Sequence, residues 1–452
     1  MKLKLLPLLF AVVGVVAVGA GFWRPWLFGQ PVDVANGIKT TVSNAKAASI
    51  ALVPQKGDEL IDHDIRRLQE EARSKHQSPE VMKRLGWAFV RKARLSYDPG
   101  YYKLAEQCAL AVECRQTDDP DAILLEGHIL QSLHKFKEAE PIARKLIKVR
   151  NQSADRGLLG DVLMEQGRLS EAITAYQDMV NLRPDLQSYT RIAHVLWLKG
   201  NLEGAIEVIA LAVTGASPRE PEPGAWAYTR MGMYSLQAGQ LEVAERSAAF
   251  ALEYVDHYPP ALLLRGRIFL TLGKWAEGLE SLRQAATLNP LPEYQWLLAD
   301  ALREAAKPAD AEEVEQKLIS TGAANDPRTF SLFLATRRQR LQESLRLALD
   351  ELKTREDVFT MDALAWALRA NGQAAKALEY SQRSLAEGTQ DARLFYHAGC
   401  IAMDSGRNAE ATSLFSRADA IKQMLFPSER TDLTQQFAAL KEIGAPRSLA
   451  QP

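Results

Sequence analysis

The sequence has few of the residues that would point to a disulfide-stabilised exported protein. Only three cysteines occur in 452 residues, at Cys108, Cys114 and Cys400, and exported proteins of this length that rely on disulfides normally carry more. Cys108 and Cys114 are six residues apart, which on a helix corresponds to about 9 Å of rise, beyond the usual bridging distance. We therefore predict three buried small residues, with a bridge at a helix end as the alternative.

The chain also lacks an excess of either charge. It has 55 Lys and Arg residues against 56 Asp and Glu residues, so its net charge of -1 argues against a global attraction to nucleic acid or anionic lipid. Nucleic acid is therefore not expected as a partner. The β-branched residues Val, Ile and Thr are sparse over most of the chain, whereas Leu and Ala dominate, and this favours helices over strands.

Motifs that mark common enzyme and cofactor sites are missing from the sequence. It contains no G-x-S-x-G, G-x-x-x-x-G-K-[ST] or H-E-x-x-H motif and no glycine-rich dinucleotide fingerprint. His397 and Cys400 have the spacing of two metal ligands on a helix, but a zinc site needs two more that converge. His128 and His134 do not share a helical face. We therefore predict no catalytic residues, no metal and no cofactor.

An uncharged apolar run follows two lysines at the N-terminus. Lys2 and Lys4 precede the run from Leu5 to Trp23, which predicts an export signal in residues 1–29. The small residues Val18 to Ala20 suit cleavage by a signal peptidase, whereas the length of the run also suits a retained membrane anchor. The positive-inside rule places the remainder of the chain outside the cytoplasm in both cases, periplasmic or otherwise extracytoplasmic.

The rest of the chain divides by composition and periodicity. Small and polar residues predict a flexible tether over 30–57, and a charged helix with a first irregular repeat follows over 58–121. A regular repeat array is predicted for 122–319, a degenerate repeat for 320–361, a second pair of repeats for 362–422 and a C-terminal helix and tail for 423–452.

Small residues recur along the chain at fixed offsets. Six of them are each followed seven residues later by a glycine, and five residues after that glycine comes another small residue. Units start 33 or 34 residues apart, except where the insertion SPREPEPG lengthens one of them, and a period near 34 is typical of helix-turn-helix repeats. The first small residues are Gly160, Ala193, Gly232, Gly266, Ala365 and Gly399, and the glycines are Gly167, Gly200, Gly239, Gly273, Gly372 and Gly406.

These offsets have a direct physical interpretation. A small residue in the first helix allows close approach of the second helix, and the glycine can adopt the left-handed conformation that ends the first helix. The later small residue, for example Ala172 or Ala205, lies where the two helices cross. Large residues such as Leu163 and Tyr176 then stack one hairpin on the next.

Two stretches carry a resemblance to a known family. The segments from Gly157 to Asp185 and from Leu262 to Pro290 resemble tetratricopeptide repeats, and Pro184 and Pro290 stand where that family has its inter-repeat proline. The order of tether, leading helix and repeats also resembles a group of exported bacterial tetratricopeptide proteins. The resemblance implies an all-α, right-handed superhelical solenoid of helix hairpins, preceded here by a signal or anchor helix.

Two units depart from the repeat pattern. The unit containing Gly86 has an expanded turn at Tyr97 to Tyr101, which suggests a capping or partner-specific role. The unit around Leu332 to Ser344 has Gln339 where a glycine is expected, which predicts either a degenerate repeat or a bent pair of helices.

The resemblance also implies a binding surface. In tetratricopeptide arrays the first helices line a concave groove, and residues around each small position point into it. Trp, Tyr and Arg are frequent among these residues and are common at binding hot spots, although some tryptophans could instead pack between hairpins. The groove residues predicted in this way are His128, Asp161, Glu165, Thr190, His194, Trp197, Met233, Arg267, Trp296, Asp300, Arg303, Trp366, Arg369 and Tyr396.

These observations favour a non-enzymatic scaffold or adaptor that binds a protein or peptide outside the cytoplasm. Its membrane contact would be the N-terminal segment, if that segment is not cleaved. The predicted groove places Asp161 and Glu165 toward one end and three arginines toward the other, which would suit a partner with the opposite arrangement. The alternative is a carbohydrate or cell-wall binding module that stacks sugar rings on groove tryptophans.

Overall fold

A computed structural model describes residues 44–444, where the regular structure is helical apart from one isolated bridge between Ser217 and Glu220. None of the helices in this range is long and apolar enough to cross a membrane. The predicted signal or anchor segment, residues 1–29, and the first part of the predicted tether lie outside the described residues.

Twenty of the described helices pair into ten antiparallel hairpins. The first five pairs are α3 (Pro79–Ser96) with α4 (Gly100–Glu113), α5 (Pro120–Ser132) with α6 (Phe136–Val149), α7 (Ser153–Glu165) with α8 (Leu169–Leu182), α9 (Leu186–Leu198) with α10 (Leu202–Thr214), and α11 (Pro221–Gln237) with α12 (Leu241–Tyr254). The other five pairs are α13 (Pro259–Thr271) with α14 (Trp275–Leu288), α15 (Pro292–Glu304) with α16 (Pro308–Asn325), α17 (Pro327–Thr336) with α18 (Leu341–Leu352), α19 (Val358–Ala370) with α20 (Ala374–Ser384), and α21 (Ala392–Asp404) with α22 (Asn408–Ala420).

Two helices precede the hairpins and one follows them. These are α1 (Asn44–Ala51), α2 (Leu60–Ser74) and α23 (Pro427–Gly444), the last of which comes after a short 3-10 turn at Lys422–Met424. The all-α repeat architecture predicted from the sequence is therefore present, whereas the right-handed sense of the solenoid remains a prediction.

The turn inside each hairpin uses one residue in the left-handed conformation. The six glycines of the sequence pattern occupy this position with φ between 72° and 77°, where a side chain would be strained. In the other four hairpins the position is taken by residues other than glycine, namely Tyr97, His134, Ala306 and Arg338. The glycine register thus identifies six hairpins directly, and packing imposes the same turn on the rest.

The small residue of the first helix makes room for an aromatic ring. A Cβ atom on Gly160 would lie 2.3 Å from Tyr176 Cε1, and one on Gly399 would lie 2.4 Å from Phe415 Cδ1. Both rings are fully buried and belong to the second helix of the same hairpin. Close packing of ring against backbone therefore requires the small residue at this offset.

The segment predicted as a degenerate repeat forms a complete hairpin of α17 and α18. Its left-handed residue is Arg338 rather than Gln339, and Arg340 has a second positive φ, of 45°. The turn of this hairpin is one residue longer than in the regular repeats. The fixed spacing of small residues and glycines therefore does not continue through this unit. The hydroxyl of Ser331 donates to the carbonyl of Ser344 at 2.8 Å and joins the two helices.

A short helix lies inside the segment predicted to be a flexible tether. Ala47, Ala48 and Ala51 of α1 are fully buried, and the helix packs against α4. The side-chain amide of Gln69 donates to the carbonyls of Ala51 at 3.0 Å and Val53 at 2.8 Å. Three alanines on one side of α1 allow close helix contact but give no strong hydrophobic periodicity. The sequence pattern therefore does not predict this helix.

The two irregular loops of the sequence also have defined places. Residues 217–224 include the first turn of α11, which is 17 residues long, against 13 for α9 and α13. Tyr97, in the expanded first turn, hydrogen-bonds to Asn289, and burial raises the pKa of its phenol to about 12. Arg94 Nη1, on α3, lies 3.6 Å from Glu222 Oε2, on α11. The first hairpin therefore contacts the middle of the array.

Candidate functional site

The first helices α5, α7, α9, α11 and α13 contact one another in succession, and their side chains form a polar layer. We call this layer the inner face, and define it by Gln131, Asp161, Arg191, His194 and Arg230. Each of these residues hydrogen-bonds to a residue of a neighbouring first helix. The layer is the part of the fold that corresponds to the predicted groove.

Asp161 is the centre of a buried network on the inner face. Its carboxylate accepts hydrogen bonds from Arg191 Nε and Nη2, both at 2.7 Å, from the hydroxyl of Tyr176 at 2.8 Å and from Gln131 Nε2 at 3.1 Å. Burial alone would raise the pKa of Asp161, but Arg191 and the Tyr176 hydroxyl outweigh it and the pKa is lowered. Asp161 is therefore an ionised structural residue that ties three hairpins together.

His194 lies one repeat further along, beside Arg230. The distance between His194 Nδ1 and Arg230 Nη2 is 3.0 Å, and the His194 ring stacks on Trp197 with centroids 5.6 Å apart. Burial, with the charge of Arg230, lowers the pKa of His194 to about 3. Burial also lowers the pKa of His128, which packs edge-on against Trp87, to about 4. Both histidines are thus neutral at physiological pH.

Three loops from the C-terminal half of the chain close over the ends of the first helices. We call these contacts the seam, which consists of the loops 353–358, 385–391 and 421–426 and the last residues of α7, α9 and α11. The backbone amide of Glu356 donates to the carbonyl of Glu165 at 3.0 Å. The hydroxyl of Thr389 donates to the carbonyl of Leu198 at 2.6 Å. The side-chain amide of Gln423 donates to the carbonyl of Gln237 at 2.8 Å.

Each of these carbonyls belongs to the last residue of its helix, where the backbone acceptors have no partner within the helix. The seam therefore caps three helix ends with groups from nearly 190 residues further along the chain. Ion pairs reinforce it, with Arg355 2.5 Å from Glu165 and Lys199 2.6 Å from Glu387. Successive turns of the solenoid are joined along this edge.

A cavity of about 400 Å³ lies next to the seam. The ends of α7 and α9, the start of α17, the loop before α19 and the end of α20 surround it. Its wall includes Glu165, His194, Arg328, Phe359 and Arg383. Burial raises the pKa of Glu165 even though Arg355 opposes the shift. The cavity combines aromatic and charged groups in one partly enclosed space, which is typical of binding sites.

Six predicted groove residues are buried within the chain in this conformation. The backbone amide and hydroxyl of Ser428 donate to Asp300 at 2.8 and 2.7 Å, and the hydroxyl of Tyr396 donates to Asp432 at 2.6 Å. For the two tryptophans among them, packing between hairpins is the interpretation that holds. The six are Asp161, Arg267, Trp296, Asp300, Trp366 and Tyr396.

The arginines predicted at one end of the groove each have a carboxylate partner within the chain. Arg267 lies 3.1 Å from Glu293, Arg303 lies 2.5 Å from Glu315 and Arg369 lies 2.7 Å from Asp404. Their charges are neutralised within the chain. Asp161 is neutralised likewise by Arg191. Arg267, Arg369 and Asp161 are thus paired in partly buried surroundings, whereas the Arg303 side chain stays 38% exposed.

The remaining eight predicted residues are partly or fully exposed. Trp197 stacks on Phe359 with centroids 5.9 Å apart, and its indole nitrogen donates to Gln237 Oε1 at 2.8 Å. The hydroxyl of Thr190 donates to the carbonyl of Leu186 within its own helix at 2.6 Å. Glu165 and His194 line the cavity, and Trp197 lies beside His194. The others in this group are His128, Thr190, Met233, Arg303 and Arg369.

The sequence pattern does not single out three inner-face residues, Gln131, Arg191 and Arg230, or the nearby Trp226. They lie within a few residues of the small positions but not directly beside them. Arg191 and Arg230 each stand two residues before the small residue of their repeat, so aligning the repeats could have identified them. Trp226 is 42% exposed, in contrast to the buried Trp296.

Within residues 44–444, no group of three or more His, Cys, Asp or Glu side chains is placed to hold a metal ion. His397, considered above with Cys400, is fully buried and its Nδ1 lies 2.8 Å from Asp362 Oδ2. Its ring also stacks on Trp366, with centroids 3.9 Å apart. Cys108 and Cys400 are buried as predicted, whereas Cys114 is an exposed free thiol.

Comparisons with known proteins agree with this architecture. A family model described as tetratricopeptide repeat matches residues 124–186, 158–221, 229–290 and 263–327. No curated protein sequence matches the chain. The hairpins outside the matched residues, such as α19 with α20 and α21 with α22, have the same turn and the same small residues as those within them.

Solved structures with related repeats are distant. The human IFIT1 dimer is 13% identical with a TM-score of 0.46, over 84% of this chain and 95% of that one. Yeast Tom70 is 13% identical with a TM-score of 0.36, and the match covers 86% of this chain and 94% of Tom70. The type IV pilus biogenesis factor PilW is 13% identical with a TM-score of 0.39, over 45% and 94%. Similarities this distant carry no conclusion about function.

The chain contains tetratricopeptide repeats, over residues 124–221 and 229–327.

Proposed function

We propose that the protein is a non-enzymatic scaffold that holds an extended segment of a protein partner along its inner face. Tetratricopeptide arrays generally mediate contacts between proteins, and the observation that supports this use here is the cavity beside the seam. Two of the predicted groove residues, Glu165 and His194, line it. A space of about 400 Å³ is large enough to receive several side chains of a bound segment.

The partner would bind where the inner face is open. Arg383 is 44% exposed at the cavity wall, and its nearest carboxylate, that of Glu356, is 3.9 Å away. So loose an ion pair contributes little to stability, which leaves the guanidinium available for a contact. The predicted sugar-binding alternative loses support because Trp296 and Trp366 are buried.

Charge reversal at Arg383 tests this assignment. In the native source, chemical crosslinking and affinity capture with the full chain should recover a defined partner, and Arg383→Glu is expected to lower its recovery at least tenfold because it places a negative charge at the cavity wall. Arg346→Glu is the matched control, since Arg346 is 60% exposed on α18 and pairs with Asp350 in the same helix. Equal recovery with both variants would refute the cavity as the binding site.

We also propose that the repeats act outside the cytoplasm, on the basis of Lys2, Lys4 and the apolar run from Leu5 to Trp23. A reporter enzyme that is active only after export, fused after Gln30, is expected to be active. Activity of a cytoplasm-specific reporter at the same position would refute export. N-terminal sequencing of the mature protein would distinguish a cleaved signal, with a new terminus at Gly21, from a retained anchor.

A further inference from the structure

Two neighbouring repeats differ at one contact on the inner face. Arg191 and Arg230 each stand two residues before the small residue of their repeat, at Ala193 and Gly232. Each arginine contacts the residue that follows the small position of the preceding repeat, which is Asp161 for Arg191 and His194 for Arg230. The same structural position therefore presents a carboxylate in one repeat and an imidazole in the next.

Because of this difference, Arg230 has no counter-ion among the described residues 44–444. No carboxylate of residues 44–444 lies within 4.0 Å of the guanidinium, whose polar contacts are His194 Nδ1 and the hydroxyl of Tyr234, each at 3.0 Å. The partner ring cannot compensate, because burial and the charge of Arg230 itself keep His194 neutral. Arg191, in contrast, is fully neutralised by two 2.7 Å bonds to Asp161.

Aromatic rings lie around the Arg230 guanidinium, and the residue stays partly exposed. Its central carbon lies 5.0 Å from the ring centroid of Tyr234, 5.7 Å from that of Trp197 and 5.8 Å from that of Trp226. Such rings hold a guanidinium in place and shield it from water, which strengthens its interaction with an incoming anion. Trp226 is 42% exposed and offers an apolar surface beside the charge.

We propose that Arg230 and Trp226 recognise an acidic side chain, Asp or Glu, in the partner segment, with an apolar neighbour of that residue packing on Trp226. This inference rests on the function proposed above. A planar guanidinium pairs with a carboxylate through two hydrogen bonds, and here the partner supplies the group that Asp161 supplies one repeat earlier.

A side chain within the segment fits this position better than a chain terminus. The Arg230 guanidinium contacts both Trp226 and His194, and His194 borders the cavity. In a segment that contacts both Trp226 and the cavity, the residue beside Arg230 is an internal residue and not a chain terminus. The acidic residue is therefore expected in the middle of the bound segment.

The test uses the full chain and an array of 12-residue synthetic peptides whose central residue is Glu, Gln or Lys beside varied apolar residues. Peptides retained by the wild-type protein are then measured in solution by fluorescence anisotropy. We expect retention of Glu-centred peptides, at least tenfold weaker binding of the matched Gln peptides, and loss of this preference in Arg230→Gln. Arg246→Gln, on the exposed side of α12, is the control that should leave the preference unchanged.

A second variant separates recognition from folding. His194→Asp places a carboxylate opposite Arg230 in the way that Asp161 stands opposite Arg191, so it should abolish the preference for Glu peptides while the melting temperature stays the same or rises. A merely structural role for Arg230 would not give this combination.

The outcomes distinguish this inference from the function on which it rests. Wild-type protein that retains no peptide would contradict both. Retention without a difference between Glu and Gln, or a preference that survives in His194→Asp, would overturn only the role of Arg230. Binding that is lost when the peptide C-terminus is amidated, with no effect of the central residue, would also overturn it, because the terminus would then supply the carboxylate.

Discussion

Replacing Trp296 by alanine is expected to lower the free energy of unfolding by about 3 to 5 kcal/mol. The indole is 1% exposed and packs edge-on against Phe426, with centroids 5.0 Å apart, and against Phe333 at 5.8 Å. The guanidinium of Arg393 covers the ring at 5.0 Å. Truncation leaves a cavity where α15 meets α17 and the segment before α23, and rigid neighbours on three sides prevent collapse.

Urea unfolding followed by circular dichroism measures this effect, and Trp275→Ala is the matched control. Trp275 begins α14 and is 36% exposed, so its truncation should change the unfolding free energy by less than about 1 kcal/mol. Similar midpoints for the two variants would show that Trp296 does not anchor the C-terminal segment.

Removing the carboxylate of Asp161 is expected to destabilise the protein by about 3 kcal/mol or more, because Arg191 would lose its counter-ion inside the array. The hydroxyl of Tyr176 would also lose its acceptor. The single variant Asp161→Ala should therefore be less stable than the double variant Asp161→Ala with Arg191→Leu, in which the uncompensated charge is absent. Thermal melts of the three proteins measure this difference, and a double variant less stable than the single one would contradict it.

The same carboxylate makes stability depend on pH. The pKa of Asp161 is lowered in the folded protein, so its contribution is present above the pKa of the unfolded chain, about 4, and is lost as the pH falls through the folded value. The difference in unfolding free energy between wild type and Asp161→Asn is expected to be constant near pH 7 and to shrink below about pH 4. A difference that stays constant in acid would contradict the role of the ionised carboxylate.

The repeat architecture follows from the sequence because its requirements are local. A glycine with positive φ and a small residue facing a ring, as at Gly167 and Gly160, are needed within one hairpin and recur with the repeat. The hairpins that use His134 or Arg338 at the turn were harder to recognise. Those residues cost about 1 to 2 kcal/mol in the left-handed conformation, and only the packing around them compensates for that cost.

The candidate site could be predicted only in part, since burial depends on contacts between distant segments. Local spacing predicts that His194 and Trp197 lie on the same side of α9, and in the structure their rings stack on each other. Local spacing could not show that loops nearly 190 residues later form the seam, for example through the ion pair of Lys199 and Glu387. It also could not show that Trp296 is buried while Trp226 is exposed. The charges that appear free in the sequence pair within their own hairpin or with the next one, as Arg303 does with Glu315 and Arg369 with Asp404.

Photo-crosslinking from two matched positions tests most directly whether the inner face binds the partner. A crosslinking amino acid placed at Trp226 and another at Phe250 would be similarly accessible, since the native side chains are 42% and 45% exposed, but Phe250 lies on the second helix of the hairpin. In the native source, position 226 is expected to crosslink to a partner protein and position 250 is not. Crosslinks from position 250 alone would show that the partner binds the opposite side of the array and would contradict the proposed function.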